Sequence, residues 1–514
     1  MPGGIIATAL DGRARSAHHP SVMPADTPSE VSKTPPDAPA ASGIPVRPAW
    51  LLPMVVASAL FMENMDAAVI ATSLPAIATD LGHDPVVLKL ALTSYLLSLA
   101  VFIPVSGWCA DRYGARPVFQ GAITIFILAS VACASANSLE HLILARAFQG
   151  IGGAMMVPVG RLIVLRSVPK SGMVDALAYL SIPALMAPLI GPPIGGFVTT
   201  YFDWRWIFWI NVPIGGVGLL LAQRYMPNVR SDAVRRMDWT GFALAGPGVA
   251  ALISGLTLAG SDVIATEFAF ALIAIGAVLC GLYIRHALRV DDPLLNLRLL
   301  QLATFRTSIV GGGLFRLGIG AIPFLLPLML QVGFGLTPFQ SGMITFAGAF
   351  GALLMKIAAR PILRRFGFRQ VLTYNALVCA ALLTLYALFT PETPHLLIAF
   401  VLVVASFFRS LQFTCLNAVA FSDVSEKAMS GATSLVGVAQ QLFLSTGVAM
   451  AAFTLESLRA WRGTEQLTPP DFSIAFLVVA GLTAVAAVMH YRLPDGAGRS
   501  VSGHDKGRPR PSTG

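Results

Sequence analysis

A short charged turn separates two long apolar runs near the start of this chain. It reads Gly107-Trp108-Cys109-Ala110-Asp111-Arg112-Tyr113-Gly114-Ala115-Arg116. Few stretches outside the terminal tails are as polar per unit length. The meaning of the turn depends on the apolar runs that flank it.

Apolar runs of this kind recur along most of the chain. Hydrophobic residues make up 55% of the 514 residues, charged residues make up 12%, and the mean hydropathy is +0.72. Soluble domains carry roughly 25% charged residues. The runs are about 18 to 28 residues long, which suits helices that cross a bilayer and exceeds the length of a barrel strand. The sequence therefore predicts an all-α polytopic membrane protein.

Fourteen apolar segments are long enough to span a membrane. They are predicted as helices 1 to 14 at 50–75, 86–109, 117–136, 139–165, 172–200, 205–226, 239–260, 264–287, 303–331, 337–359, 370–390, 394–420, 429–456 and 472–492. The flanking segments 1–48 and 493–514 are rich in small, polar and proline residues, which predicts two disordered tails.

The charges of the connections alternate along the chain. Most Lys and Arg residues follow even-numbered predicted helices, whereas Asp80, Asp84, Glu140 and Glu392 follow odd-numbered ones. The positive-inside rule then places the basic connections and both termini in the cytoplasm. The predicted location of the protein is the inner membrane of the cell. Because topology explains the basic residues, the net charge of +9 does not indicate a nucleic-acid partner.

The charged turn has a second copy. Aligning Gly367 with Gly114 matches Arg365 to Arg112 and Arg369 to Arg116, and it leaves Arg364 opposite Asp111. If predicted helices 7 and 8 are an insert, each copy follows the second helix of a six-helix half, and such duplication is common in secondary transporters. The predicted domains are an N-terminal bundle at 49–226, two inserted helices at 227–302 and a C-terminal bundle at 303–492.

Several stretches resemble motifs of the major facilitator superfamily. They are Gly107–Arg116 for motif A, Leu142–Gly153 for motif B, Ala187–Gly196 for the antiporter motif C, and Asp66–Pro75, Trp204–Gly215 and Asp238–Gly241 for its fourteen-helix drug:proton antiporter branch. Ala187 departs mildly from the usual first glycine of motif C. The resemblance implies two pseudo-symmetric six-helix bundles with two inserted helices. It also implies proton-coupled efflux of small amphipathic or drug-like compounds by alternating access.

Motif A is predicted to form a conformational switch. Gly107 permits close helix approach. Asp111 can face the positive end of another helix, which the resemblance places near Met429–Gly431 of predicted helix 13. The other residues of this switch are Gly114, Arg112 and Arg116. The alternative is a turn that merely obeys the positive-inside rule.

Glu63, Asp66 and Arg146 are the candidates for proton coupling. Glu63 and Asp66 are three residues apart and so share a helical face. A carboxyl group inside a membrane is costly when ionised, so it can alternate between protonated and ionised forms. Arg146 is predicted to pair with these acids or to relay protons. The alternatives are a permanently paired carboxylate and an Arg146 side chain that extends to the membrane surface.

Arg316, Arg409, Gln412 and Gln440 are predicted to line a substrate cavity. Arg316 and Arg409 lie on predicted helices 9 and 12. In the family fold these helices surround the central cavity together with helices 1 and 4. The two arginines could bind an anionic or zwitterionic substrate, or they could simply balance the acids of helix 1.

Motif C has a backbone rationale. Pro192 interrupts the helical hydrogen bonds, while Gly191, Gly195 and Gly196 allow a neighbouring helix to pack closely. This combination predicts a moving joint, with a static kink as the alternative. Export as the direction of transport is implied only by the resemblance.

Other classes of protein are disfavoured. The chain has no HExxH, GxSxG or GxxxxGK[ST] motif, so no enzyme or ATP-driven pump is expected. Its five cysteines form no CxxC pair, so no metal or cofactor is expected. The expected partners are a small-molecule substrate, protons and the lipid bilayer, and a periplasmic adaptor protein is left open. The alternatives are a proton symporter for an organic anion or zwitterion and a non-transporting membrane sensor.

Overall fold

The computed structural model describes residues 50–167, 173–230, 236–258, 265–425, 428–464, 466–494 and 496–498. Fourteen long helices, separated by short connections, account for most of these residues. They are α1 Leu51–Leu81, α2 Lys89–Tyr113, α3 Ala115–Ala134, α4 Leu139–Ser167, α5 Met173–Tyr201, α6 Trp206–Tyr225, α7 Trp239–Leu258, α8 Thr266–Ala287, α9 Ala303–Gly333, α10 338–366, α11 368–386, α12 His395–Phe421, α13 Met429–Arg462 and α14 Pro469–Tyr491.

Each predicted segment corresponds to one of these helices. Within the described residues, 13 helices are apolar and long enough to cross a membrane, and α5 adds a further helix of 29 residues. Helices α10 and α11 form one stretch, Pro338–Tyr386, that is broken at Gly367, where φ is 71°. A positive φ favours glycine, which explains the glycine of the second charged turn.

Several predicted boundaries are off by a few residues, including the ends of α10 and α13, which were predicted at 359 and 456 and lie at 366 and Arg462. Helix α1 continues to Leu81 with Pro75 inside it, because long membrane helices tolerate proline when neighbours satisfy the freed backbone. The C-terminal tail was predicted to start at 493, yet Leu493 is buried, and a Cβ atom at Gly498 would lie 2.7 Å from the Phe368 ring. The predicted tails at 1–48 and 499–514 lie outside the described residues.

Two groups of helices pack on either side of a seam. Helices α1–α6 contact one another, as do α9–α14, and the groups meet where α2 packs on α13 and α5 packs on α10. The inserted helices α7 and α8 pack together, and α7 also lies against α2 and α13. The described helices belong to one compact unit, so the exact domain boundaries stay predictions.

Asp238 fastens the inserted helices. Its carboxylate accepts hydrogen bonds from the Gly241 and Leu294 backbone N–H groups at 2.7 and 3.1 Å, and it lies 2.9 Å from His286 Nε2. Burial opposes ionisation, but these hydrogen bonds outweigh it and hold the pKa of Asp238 below its ordinary value of 3.8. One carboxylate therefore ties α7 and α8 to the segment that leads into α9.

The glycines of motif C lie at the closest helix contacts. A Cβ atom at Gly195 would be 2.8 Å from the Val69 carbonyl of α1. One at Gly196 would be 2.4 Å from the Pro338 carbonyl of α10. Since Cβ atoms essentially never come so near to backbone, any larger residue would force these helices apart.

Candidate functional site

Asp66 of α1 and Arg146 of α4 form a buried ion pair inside the N-terminal group of helices. Arg146 Nη1 lies 2.5 Å from Asp66 Oδ2, and Asp66 is 3% and Arg146 1% exposed. The Tyr95 ring of α2 packs against the guanidinium, with its centroid 4.4 Å from Arg146 Cζ. Arg146 therefore does not extend to the membrane surface.

Neutral side chains complete this site. Gln149 Nε2 and Asn211 Nδ2 each donate a hydrogen bond to Asp66 Oδ1 at 2.8 Å, and both amides also contact Ser130 Oγ. With Arg146, three donors from α4 and α6 hold the carboxylate. A buried ion pair repays its desolvation only when further hydrogen bonds satisfy it, and this arrangement supplies them.

Glu63 takes no part in the hydrogen bonds that hold Asp66, although Asp66 and Tyr95 are among its electrostatic neighbours. It is half-buried, and its Oε2 atom has no hydrogen-bond partner. Its electrostatic partner is Arg161, near the other end of α4 from Arg146. Because α1 and α4 run in opposite directions, one helical turn along α1 moves a side chain away from Arg146 and towards Arg161.

Arg316 is buried inside the C-terminal group of helices. It is 1% exposed, and its Nη1 and Nη2 atoms donate to the Ser308 carbonyl at 3.1 Å and to Asn417 Oδ1 at 3.3 Å. Arg316 Nε has no partner. No carboxylate among the described residues pairs with this cation, in contrast to Arg146.

The other predicted cavity residues divide into two kinds. Arg409 is half-buried, donates to Ser406 Oγ at 3.1 Å and lines a small pocket with Tyr386. Gln440 is half-buried on α13. Gln412 is fully buried and bonded within α11, α12 and α14, so the structure places it in bundle packing and not on a cavity wall.

The motif A turn bonds within its own group of helices. Asp111 Oδ1 accepts from Arg166 Nη1 of α4 at 2.8 Å. The hydrogen bond of Asp111 therefore goes to Arg166, and the predicted contact with Met429–Gly431 is not the one formed. A Cβ atom at Gly107 would meet nothing within 4 Å, so its predicted close helix approach is also absent.

The remaining motif A residues hold the segment after α6. Gly114 has φ of 96°, and a Cβ atom there would lie 2.4 Å from Asn228 Oδ1. Arg116 donates to the Gln223 carbonyl. Arg112 is exposed. Glycine is therefore required at position 114 both by the backbone angle and by the close approach of the segment at Asn228.

The opposite end of the seam is closed by polar contacts. We call it the acidic face, after Asp80, Asp84, Glu140 and Glu392, and we call the end that carries the motif A turn the basic face. Four contacts cross the seam there: Lys89 Nζ with Glu456 Oε1 at 2.7 Å, Arg459 Nη1 with Asp84 Oδ2 at 2.7 Å, Gln331 Nε2 with the Thr72 carbonyl at 2.8 Å, and Phe339 N with Thr200 Oγ1 at 3.0 Å. The structure is therefore a state whose acidic face is sealed.

Sequence reasoning missed several of these residues. Gln149 stands three residues after Arg146 in motif B, so helical spacing already placed both on one face. Lys89 and Glu456 are isolated charges at the ends of apolar helices, and that isolation was a usable signal. Their pairing could not be read from sequence because 367 residues separate them.

Comparison with known proteins gives a consistent result. The sequence profile of the Major Facilitator Superfamily matches residues 56–239 and 308–514. The chain is 35% identical over 462 residues to the putative multidrug resistance protein MdtD of Escherichia coli O6:H1, covering 88% of this chain and 96% of that protein. The MdtD protein of Pectobacterium atrosepticum is 36% identical over 450 residues, with coverages of 87% and 96%.

Solved structures share the fold at low sequence identity. A peptide transporter of the POT family in complex with sulfate superposes with a TM-score of 0.66 at 13% identity, covering 89% of this chain and 96% of that one. A D-xylose–proton symporter superposes with a TM-score of 0.61 at 15% identity, covering 88% and 98%.

Proposed function

Because this chain belongs to the Major Facilitator Superfamily and is therefore a multi-pass membrane transporter, we propose that it exports small amphipathic, drug-like compounds in exchange for protons. The observation that carries the proposal is the buried pair of Asp66 and Arg146. The relatives in Escherichia coli and Pectobacterium atrosepticum are named putative multidrug resistance proteins, which supports drug-like cargo.

The buried pair suits a proton carrier. Protonation of Asp66 removes the negative charge that balances Arg146, so the proton and the arginine compete for one carboxylate. The pair joins α1 to α4, and its amide partners come from α4 and α6. Loss of the ionic contact would therefore loosen three helices at once. This links proton binding to helix movement.

The sealed acidic face agrees with an exporter that awaits its cargo. If the protein lies in the inner membrane with its basic connections in the cytoplasm, as the positive-inside rule predicts, this conformation is the one that faces the cytoplasm. Exchange requires that cargo or proton binding shift the balance between this state and its opposite.

The test uses inverted membrane vesicles that carry a pH-sensitive dye. A transported compound should trigger proton movement with the wild-type protein and not with Asp66→Asn, because the asparagine cannot ionise. Glu267→Gln is the matched control, since Glu267 is an exposed carboxylate of α8. Undiminished proton movement with Asp66→Asn, in correctly inserted protein, would contradict the proposal.

A second candidate is proton-coupled uptake of an organic anion. The buried cation of Arg316, which has no carboxylate partner among the described residues, favours an anionic cargo. The same vesicles separate the two candidates, because symport moves the compound and the proton in the same direction.

A further inference from the structure

Two side chains in the C-terminal helices each hold a buried nitrogen atom without a hydrogen-bond partner. The first is Arg316 Nε. The other guanidinium nitrogens of Arg316 donate only to neutral acceptors, the Ser308 carbonyl and Asn417 Oδ1. A charge taken out of water without a counter-ion is unfavourable by several kcal/mol. The site therefore lacks a negative charge.

The second is His490 of α14, which is 0% exposed. Gln412 Nε2 lies 3.3 Å from His490 Nδ1. The Leu372 carbonyl is a further hydrogen-bond neighbour of the ring, so the proton of the neutral imidazole can sit on either nitrogen, and the tautomer with its proton on Nε2 offers a free donor there. His490 Nε2 is buried and has no partner.

Both side chains lie against consecutive glycines of α9. A Cβ atom at Gly311 would be 3.1 Å from His490 Nε2, and one at Gly312 would be 2.8 Å from Arg316 Nη1. These glycines end and follow a π-helical turn, Thr307–Gly311. Such turns are frequent at functional sites.

The surroundings suit an apolar molecule with one charged end. The Phe413 ring centroid lies 5.8 Å from Arg316 Cζ, and the Phe443 ring covers Gly313. Asn417, which binds the guanidinium, is exposed. One partner of Arg316 therefore reaches the surface of α12.

The geometry points to a site at Arg316 and His490 that binds the carboxylate of an amphipathic organic anion. This site would supply the missing negative charge while the aromatic side chains contact the apolar part. The inference rests on the proposed transport function, because it assigns the cargo its charge. It makes Arg316 a binding residue, whereas Arg146 keeps its charge balanced within the protein.

The test measures binding to the full chain in lipid nanodiscs by calorimetry and thermal shift. The probes are 2-naphthoate, methyl 2-naphthoate and 2-naphthylmethylammonium, which share one ring system and differ in charge. We expect the wild-type protein to prefer 2-naphthoate. Arg316→Gln should weaken its binding about 10- to 100-fold, the value of a buried hydrogen bond to a charged group, and should leave the ester unaffected.

Two further variants guard against misfolding. Arg316→Lys retains the positive charge and should keep part of the preference for 2-naphthoate. Arg306→Gln is the matched control, because Arg306 is an exposed cation of the same helix, and it should bind like the wild type. Equal loss in Arg306→Gln, or 2-naphthoate binding that does not depend on Arg316, would overturn the inference.

Two other outcomes separate the alternatives. Equal stabilisation by sodium sulfate or acetate would show a site for small anions and overturn the assignment to an amphipathic cargo. Arg316-dependent binding in a protein that moves no protons would leave this inference standing while the proposed function fails. Proton movement driven only by 2-naphthylmethylammonium would support the proposed function and overturn this inference.

Discussion

Breaking the pair of Lys89 and Glu456 should open the acidic face, whereas removing both charges should close it again. Lys89 of α2 is 0% exposed, and the Glu456 side chain of α13 is 11% exposed. The pair crosses the seam, so it exists only while that face is sealed. Lys89→Met removes the cation that is hydrogen-bonded to this carboxylate and leaves only the more distant charge of Arg459, and opening the face would return the carboxylate to water.

The expected shift follows from the cost of an unpaired buried charge. Removing one partner of a buried pair destabilises by about 3–5 kcal/mol. This cost applies only to the sealed state, so even its lower end raises the ratio of open to sealed protein by more than about 100-fold. A protein that is about 1% open would become roughly half open. Replacing both charges by apolar side chains is often neutral, so Lys89→Met/Glu456→Met should return to the sealed state.

Distances between spin labels measure this balance. Labels at Asn137→Cys and Glu392→Cys would occupy exposed sites in the α3–α4 and α11–α12 connections, after replacement of the five native cysteines. The wild type should give one short distance, and Lys89→Met should add a longer one. The reasoning is refuted if Lys89→Met leaves the distances unchanged, or if the double variant opens as far as the single one.

Three further predictions concern other contacts. Asp111→Asn and Arg166→Gln break the same surface ion pair, which contributes about 1 kcal/mol at most. Each variant should therefore slow transport with little change in melting temperature. The double variant should be no slower than either single one, because both changes remove the same contact. Gly196→Ala should lower the melting temperature, because its methyl group would lie 2.4 Å from a backbone carbonyl of α10, whereas Gly216→Ala, which meets nothing within 4 Å, should not. Because the pKa of Asp238 is lower in the folded protein, its carboxylate stabilises the fold above about pH 4, and this stabilisation is lost as the pH falls through the folded pKa. Asp238→Asn should therefore melt earlier than the wild type at neutral pH, and the difference should shrink as the pH falls below 3.8.

Hydropathy was sufficient to locate the helices, because a membrane span needs about 20 apolar residues and little else. It could not locate their ends. Helix α1 passes through Pro75 and stops only at Gly82, whose φ of 70° is outside the helical range. A proline is an ambiguous signal in a long buried helix, whereas a glycine with positive φ is recognised only in the structure.

The candidate site was predictable where the signal was local. An acid on α1 and an arginine on α4 are rare inside a membrane, and the structure brings Asp66 and Arg146 together. Contacts that depend on the conformational state were not predictable. Asp111 meets Arg166 and not the start of α13, because a single sequence encodes both states and the structure holds one of them.

The close contact between α5 and α10 determines how far the distant end of α5 moves when the two groups of helices rotate against each other. A Cβ atom at Gly196 would lie 2.4 Å from the Pro338 carbonyl of α10, and one at Gly342 would lie 2.3 Å from the Pro192 carbonyl of α5. From Gly196 to the first residue of α5, Met173, is 23 residues, or about 35 Å at the helical rise. If the two halves turn about this fulcrum by about 15°, as rigid bodies do in other switching proteins, the far ends move by roughly 9 Å. A displacement of this size is comparable to the width of a small aromatic molecule with its contact shell. With such a rotation, the contact at Gly196 and Gly342 would limit the size of the cargo that one movement can admit.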